Sequence, residues 1–209
     1  MPLPLLLWGA GAIAAAVAVK KFFFSDPPAK PIPAAKKIAV LGMQESGKTQ
    51  FLKTLQGVPY AYYSQTSEDE YDEFSVTLNS GRSIKIGSGT DIGGAVHFIE
   101  RYKKIASDCD AVILVFDVYK FKNDSSYNFD TRCRFDFFKN GIDISDDKKV
   151  VIGSFADKFT TDEEKTKAQS YVYEQLRSVY PNIEAHNFFM RDMRDRNQIM
   201  EVINKIFPG

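Results

Sequence analysis

Gly42-Met43-Gln44-Glu45-Ser46-Gly47-Lys48-Thr49 is the stretch on which the reading of this chain turns. It satisfies GxxxxGK[ST] at every position. The apolar run Ile38-Ala39-Val40-Leu41 precedes it, and residues 50–57 with helical spacing follow. The spacing has a physical purpose. The glycines let the backbone curl, so that N–H groups from about Glu45 to Thr49 converge on a β-phosphate. The following helix presents its positive end to the same anion. Lys48 reaches the β- and γ-phosphate oxygens, and the Thr49 hydroxyl ligates Mg²⁺. Gly42, Gln44, Glu45, Ser46, Gly47, Lys48, Thr49 and Gln50 are the expected nucleotide contacts.

Outward from the loop, strand-like and helix-like blocks alternate. Residues 74–78 alternate in strand fashion, Asn79-Ser80-Gly81-Arg82 reads as a hairpin turn, and residues 83–86 return. Residues 94–106 have helical spacing, and Ala111-Val112-Ile113-Leu114-Val115-Phe116 is a buried strand. Val150-Val151-Ile152 repeats that signal; residues 162–179 form an amphipathic helix, 183–189 a last strand and 194–207 a last helix. Continuous apolar strands alternating with helices imply an α/β fold in three layers, with a mostly parallel sheet and one antiparallel edge strand from the hairpin. Phe129, Phe135, Phe137 and Phe138, on a third helix, read as core.

A second element, Asp91-Ile92-Gly93-Gly94, follows the hairpin, with Asp91 lying 42 residues beyond Thr49. An aspartate there holds Mg²⁺ through a water, and the Gly94 N–H senses a γ-phosphate. With both elements quoted, residues 38–207 resemble the small Ras-like GTPases. The DxGG form is most similar to the Arf branch and to the β subunit of the signal-recognition-particle receptor. That resemblance implies GTP or GDP with Mg²⁺ as ligands. It also implies a threonine between residues 58 and 72 that completes the metal shell. Thr66 is the only threonine there, with Ser64 and Ser67 beside it as lesser candidates. The acidic run Glu68-Asp69-Glu70 reads as a solvated loop or a docking site for a partner.

The chain departs from the family in three places. The hydrolytic glutamine that follows DxGG is Ala95, which cannot orient a water. His97 is a conceivable substitute, or else an ordinary surface or core histidine. The guanine-reading NKxD motif appears as Ser154-Phe155-Ala156-Asp157, in which only Asp157 survives to accept from guanine N1–H and the 2-amino group. Phe155 lies against the base or in the core. No serine-alanine-lysine loop is recognisable in residues 190–196.

Residues 1–19 contain no charged side chain; Lys20-Lys21 and Phe22-Phe23-Phe24 follow. A helix of that length is about 28 Å long, close to the hydrocarbon thickness of a bilayer. Residues 1–24 are therefore expected to be a single-pass membrane anchor, with residues 3–24 in lipid; a cleaved signal peptide and a buried hairpin are the alternatives. Pro27, Pro28, Pro31 and Pro33 make residues 25–36 a semi-rigid spacer, and the nucleotide domain spans 37–209. Lys20, Lys21, Lys30, Lys36 and Lys37 all follow the apolar segment, which orients that domain to the cytoplasm.

The 209 residues carry 27 basic and 27 acidic side chains, but residues 38–209 hold 22 and 26, a net charge of −4. That is a poor footprint for nucleic acid. Cys109 and Cys133 form no metal or redox pair, and Gly87-Ser88-Gly89 is not continued into a dinucleotide-binding loop. Two histidines far apart, His97 and His186, leave no Ser-His-Asp constellation. The expected function is a membrane-tethered Mg·GTP-dependent switch with slow intrinsic hydrolysis and an unknown protein effector. A non-hydrolysing scaffold that recruits a partner is the alternative, and an ATP-binding enzyme such as a kinase is a third reading, disfavoured by the lack of a lid or acceptor motif.

Overall fold

The computed structural model describes residues 35–59, 68–92 and 99–208, all within the unit Ala34–Gly209. In chain order these form β1 (Ile38–Gly42), α1 (Lys48–Gln56), β2 (Glu68–Tyr71), β3 (Phe74–Thr77), β4 (Ser83–Ile86) and β5 (Gly89–Ile92). Then come α2 (Ile99–Ala106), β6 (Ala111–Asp117), α3 (Val118–Asn123), α4 (Ser125–Asn140), β7 (Lys149–Ser154), α5 (Asp162–Val179), β8 (Phe188–Met190) and α6 (Arg196–Ile206). Among the described residues, no helix is long and apolar enough to cross a membrane. The expected anchor, residues 1–24, and residues 25–34 of the expected spacer lie outside the described residues.

Four parallel strands, in the order β1-β6-β7-β8, make the central sheet. Alternation along each strand sorts its side chains onto two faces. Ala39, Leu41, Val112, Leu114 and Phe116 pack with Tyr102 of α2, Phe121 of α3, Phe135 and Phe138 of α4, and Val172 and Leu176 of α5. Ile38, Val40, Ile113, Val115 and Ile152 pack with Phe51 and Leu55 of α1 and Ile199 and Ile203 of α6. A sheet apolar on both sides must be covered on both sides, so the three layers follow from the strand composition. Each fully buried Phe or Ile contributes about 1.5–3 kcal/mol relative to an exposed one.

The sheet edge differs from the sequence expectation. Instead of one antiparallel strand there are two two-stranded ribbons, β3–β4 and β2–β5. The first meets the chain just ahead of β1, where Lys36 pairs in parallel with Ile86. Its turn is as expected, with the Leu78 N–H donating to Arg82 O at 2.8 Å. Glu68-Asp69-Glu70, read as a loop, belongs to strand β2, and Asp91 is not beyond a strand end but within β5, opposite Asp69. Strand propensity is low for acidic residues, and cross-strand pairing overrides it.

The helix starts carry legible caps. Thr161 and Glu164 form a capping box for α5. Asp117, Asp124 and Asp195 accept backbone N–H groups at the starts of α3, α4 and α6. Of the expected core aromatics, Phe135 and Phe138 are buried, whereas Phe129 is 68% exposed. The last strand is shorter than expected, because residues 185–187 form a single 3₁₀ turn before it.

Candidate functional site

Of the sequence-predicted contacts, Gly42–Gln50 and Asp157 lie at the carboxyl ends of β1 and β7, the edge where open α/β sheets bind ligands. Gly42 ends β1 with φ +143°, and a Cβ there would lie 1.9 Å from Val115 O of β6. No other residue fits without moving the sheet. Gly47 sits at the start of α1 with φ +88°, and a Cβ would come within 3.4 Å of Met193 Cγ. Glu45 adopts φ +55° without being glycine. The loop is thus held in a left-handed curl that L-residues seldom occupy.

Inside that curl, Lys48 is buried and donates from Nζ to Met43 O at 2.8 Å. Ser46 is fully buried, and its Oγ has no hydrogen-bond partner. A buried hydroxyl without a partner costs about 1–3 kcal/mol, a cost that a bound acceptor would relieve. The start of α1 has no side-chain cap hydrogen bond and no acidic residue in its first turn. The first turn therefore adds no negative charge of its own to oppose an anion at the positive end of the helix.

Thr49 is half-buried in that first turn. The Gln50 side chain works elsewhere: Nε2 donates to Thr54 Oγ1 at 2.8 Å, and that hydroxyl donates to Met193 O at 2.6 Å. This chain of bonds ties α1 to the segment after β8. Exposed Glu45 pairs with Lys120 of α3 at 3.0 Å.

Asp117, 1% exposed, closes β6. Its Oδ1 accepts from Tyr119 N and Lys120 N, and Lys158 Nζ lies 3.5 Å from its Oδ2. Phe155 follows β7 in the left-handed region at φ +58°. It is half-buried, not core, and its ring lies 4.4 Å below Lys158 Nζ, which also stands 5.1 Å over Tyr119.

Asp157 is engaged as well. Arg194 Nη2 donates to Asp157 Oδ2 at 2.7 Å and to Asp192 Oδ2 at 2.8 Å, while Arg194 Nε donates to Asp192 Oδ1 at 2.9 Å. The hydrogen bond from Arg194 holds the Asp192 carboxyl below its usual range.

Thr66, Gly94, Ala95 and His97 lie outside the described residues, and of Asp91 only its backbone place in β5 is described. Both cysteines are free, and burial pushes the Cys109 thiol up to about 11, so it stays protonated at neutral pH. Sequence reasoning missed Asp117, Lys158, Met193 and Arg194. Asp117 was signalled by an aspartate between an apolar strand and a helix. Arg194 had no signal, because its partner Asp157 is 37 positions away.

Among the described residues, no group of three or more His, Cys, Asp and Glu could hold a metal ion. That excludes an all-protein cage there, but not the Mg²⁺ of a phosphate site, which rests on phosphate oxygens and waters with one or two protein oxygens. Thr49, in the first turn of α1 beside the buried Lys48, fits such a ligand.

No protein-family model and no curated protein matches the chain. Solved structures do. A GTP-binding protein from the hyperthermophilic archaeon Sulfolobus solfataricus, in complex with GDP, aligns with a TM-score of 0.54 at 18% identity, over 82% of this chain and 53% of that one. The chain shares the α/β fold of that structure. The chain spans about half the length of the structure it matches, and 1113 solved chains match in all, so the likeness identifies a widespread fold and not a particular relative.

Proposed function

We propose that this chain is a membrane-tethered guanine-nucleotide-binding protein that works as a Mg·GTP-dependent switch and hydrolyses GTP slowly. The observation that carries it is the phosphate loop: a left-handed curl fixed by Gly42 and Gly47, a buried Lys48, and a fully buried Ser46 Oγ without a partner. Such an interior suits a polyphosphate. The similar archaeal structure is a GTP-binding protein in complex with GDP, which supports guanine as the base. Asp157, after β7, is the residue we assign to guanine N1–H and the 2-amino group.

In this reading the loop N–H groups and Ser46 Oγ hold the β-phosphate, and Lys48 moves from Met43 O to bridge β- and γ-oxygens. Thr49, Thr66 and Asp91 would hold Mg²⁺, which would supply charge neutralisation at the phosphate oxygens. Gly94 senses the γ-phosphate, and a partner protein reads the loops that it orders. Ala95 cannot orient a water, so turnover is at or below that of unassisted small GTPases, on the order of 10⁻⁴ s⁻¹. The DxGG sequence from Asp91 to Gly94 supports a place near the Arf and receptor β-subunit branch. Length, lack of charge and the trailing lysines support an anchor at residues 1–24, with the nucleotide domain in the cytoplasm.

A second reading is a scaffold whose nucleotide only supports the fold. Ala95 and the Arg194–Asp157 pair favour it, since one removes turnover and the other fills the base site. Purification of the full chain in detergent separates them: bound GTP or GDP is expected, and single-turnover hydrolysis measures the switch. A rate above about 10⁻² s⁻¹ without a partner is incompatible with slow turnover. Protease treatment of sealed cells tests topology: digestion of residues 37–209 from outside, or a mature chain lacking residues 1–18, overturns the anchor.

A further inference from the structure

We infer that Arg194 sets the base selectivity of this site by competing with guanine for the carboxylate of Asp157. The inference rests on the nucleotide-site reading above.

A guanine edge presents two adjacent donors, N1–H and the 2-amino group, and a carboxylate matches them only when both oxygens are available side by side. Here Oδ2 of Asp157 already accepts from Arg194 at 2.7 Å. Arg194 is not a wandering side chain. Its Nε and Nη2 form a fork on Asp192 at 2.9 and 2.8 Å, and its own backbone N–H donates to Asp192 Oδ1 at 2.9 Å. The fork fixes the guanidinium with its remaining reach directed at Asp157.

The neighbouring ring is filled in the same manner, since Lys158 lies over Phe155 at 4.4 Å. Both features of the Ser154–Lys158 segment that could meet a base, a carboxylate and an aromatic face, therefore hold cations of the chain itself.

The effect on selectivity has a definite sign. Guanine must displace Arg194 from one oxygen before it gains its two hydrogen bonds. Adenine, with an acceptor at N1 and no donor pair, gains nothing from a bare carboxylate and is repelled by it, so the paired Arg194 spares it that repulsion. The pair thus lowers guanine affinity and raises tolerance of adenine. Arg194 and Asp157 side chains are 46% and 35% exposed. An ion pair so exposed is weak, so the displacement is feasible and the penalty is a few-fold, not a block.

The test is calorimetric titration of the full chain in detergent with Mg·GDP, Mg·IDP and Mg·ADP, for the native protein and for Arg194→Ala and Arg194→Gln. Both substitutions alter a half-exposed side chain, and a melting curve for each confirms folding; should Arg194→Ala not fold, Arg194→Gln carries the test. The expected result is a rise of roughly three- to fivefold in the GDP-to-ADP affinity ratio. It should be smaller for IDP, which lacks the 2-amino group. An unchanged ratio, or equal tightening of all three nucleotides, overturns the role of Arg194 and leaves the phosphate-loop reading intact. Failure of the native chain and both variants to bind any of the three overturns both.

Discussion

Gly42–Thr49 and the Ser154–Lys158 segment stand at the same edge of the same sheet, after β1 and β7, yet they were completed in opposite ways. The first leaves a buried hydroxyl of Ser46 unpartnered and a helix start without a side-chain cap. The second satisfies itself: Arg194 holds Asp157, and Lys158 covers Phe155 while approaching Asp117. An unmet hydrogen bond in the interior costs stability until a ligand arrives, whereas an exposed ion pair costs almost nothing to keep. In the proposed nucleotide site, affinity would come from the phosphate end, and selectivity would be weak at the base end.

The largest effect that can break this contrast is steric. Gly42→Ala puts a Cβ 1.9 Å from Val115 O at φ +143°, and the loop cannot keep its curl without shifting β1 against β6. A destabilisation of about 3 kcal/mol or more is expected, a drop of roughly 10 °C in Tm, with loss of nucleotide binding. A melting curve within 2 °C of the native one, in the same assay, would show the close approach to be unimportant.

Lys48→Ala comes next. It removes the only cation buried within the loop's residues 42–49 and leaves Met43 O to find water. Affinity for Mg·GDP should fall about a hundredfold, the scale of a charge-assisted hydrogen bond to phosphate. A change below threefold by calorimetry means the lysine does not reach the nucleotide.

The same two regions explain what could be read from sequence. Gly42–Thr49 is a contiguous octet, and its curl, lysine and helix start follow from local spacing. The strands of the sheet were legible for a like reason: Ala111 to Phe116 is apolar without a break, and the bounds of α5 coincide with the expected 162–179. What was missed depends on distant pairing. Glu68–Tyr71 is a strand because Gly89–Ile92 lies beside it, not because its residues favour one. Phe129 sits in a helix whose neighbouring aromatics are core, and only packing reveals that it faces outward. Arg194 meets Asp157 across 37 positions, and Thr54 meets Met193 across 139. No periodicity records such contacts.

A smaller effect sharpens the base end. Asp157→Ala in the native background should lower the GDP-to-ADP ratio by no more than about fivefold, because its carboxylate is already shared. In the Arg194→Ala background the same change should cost more, since the whole bidentate contact is then at stake. The two substitutions are therefore non-additive, as expected for groups in direct contact. Additive losses in a double-mutant cycle would place Asp157 and Arg194 in separate roles.

The smallest expected effect is on pH dependence. The Asp192 carboxyl is held below its usual range chiefly by its hydrogen bond to Arg194. A carboxyl with a lowered folded-state pKa binds its proton more weakly folded than unfolded. Its stabilisation is therefore fully present above the unfolded value of about 3.9 and is lost as the pH falls below it. Arg194 stays protonated throughout, so the acid limb belongs to the Asp192 carboxylate that faces it. Because Arg194 is 46% exposed, solvent screens the pair, and the expected contribution is a few tenths of a kcal/mol, smaller at high salt. Melting curves between pH 3 and pH 6 should show Asp192→Asn losing less stability on acidification than the native chain, with the two profiles running parallel above about pH 5. The base end would then be fastened by a screened surface pair, and salt should relax it while leaving the buried phosphate loop unchanged. If the profiles remain parallel down to pH 3, Arg194 is held in place by something other than Asp192, and the fork that aims it at Asp157 does not determine its position.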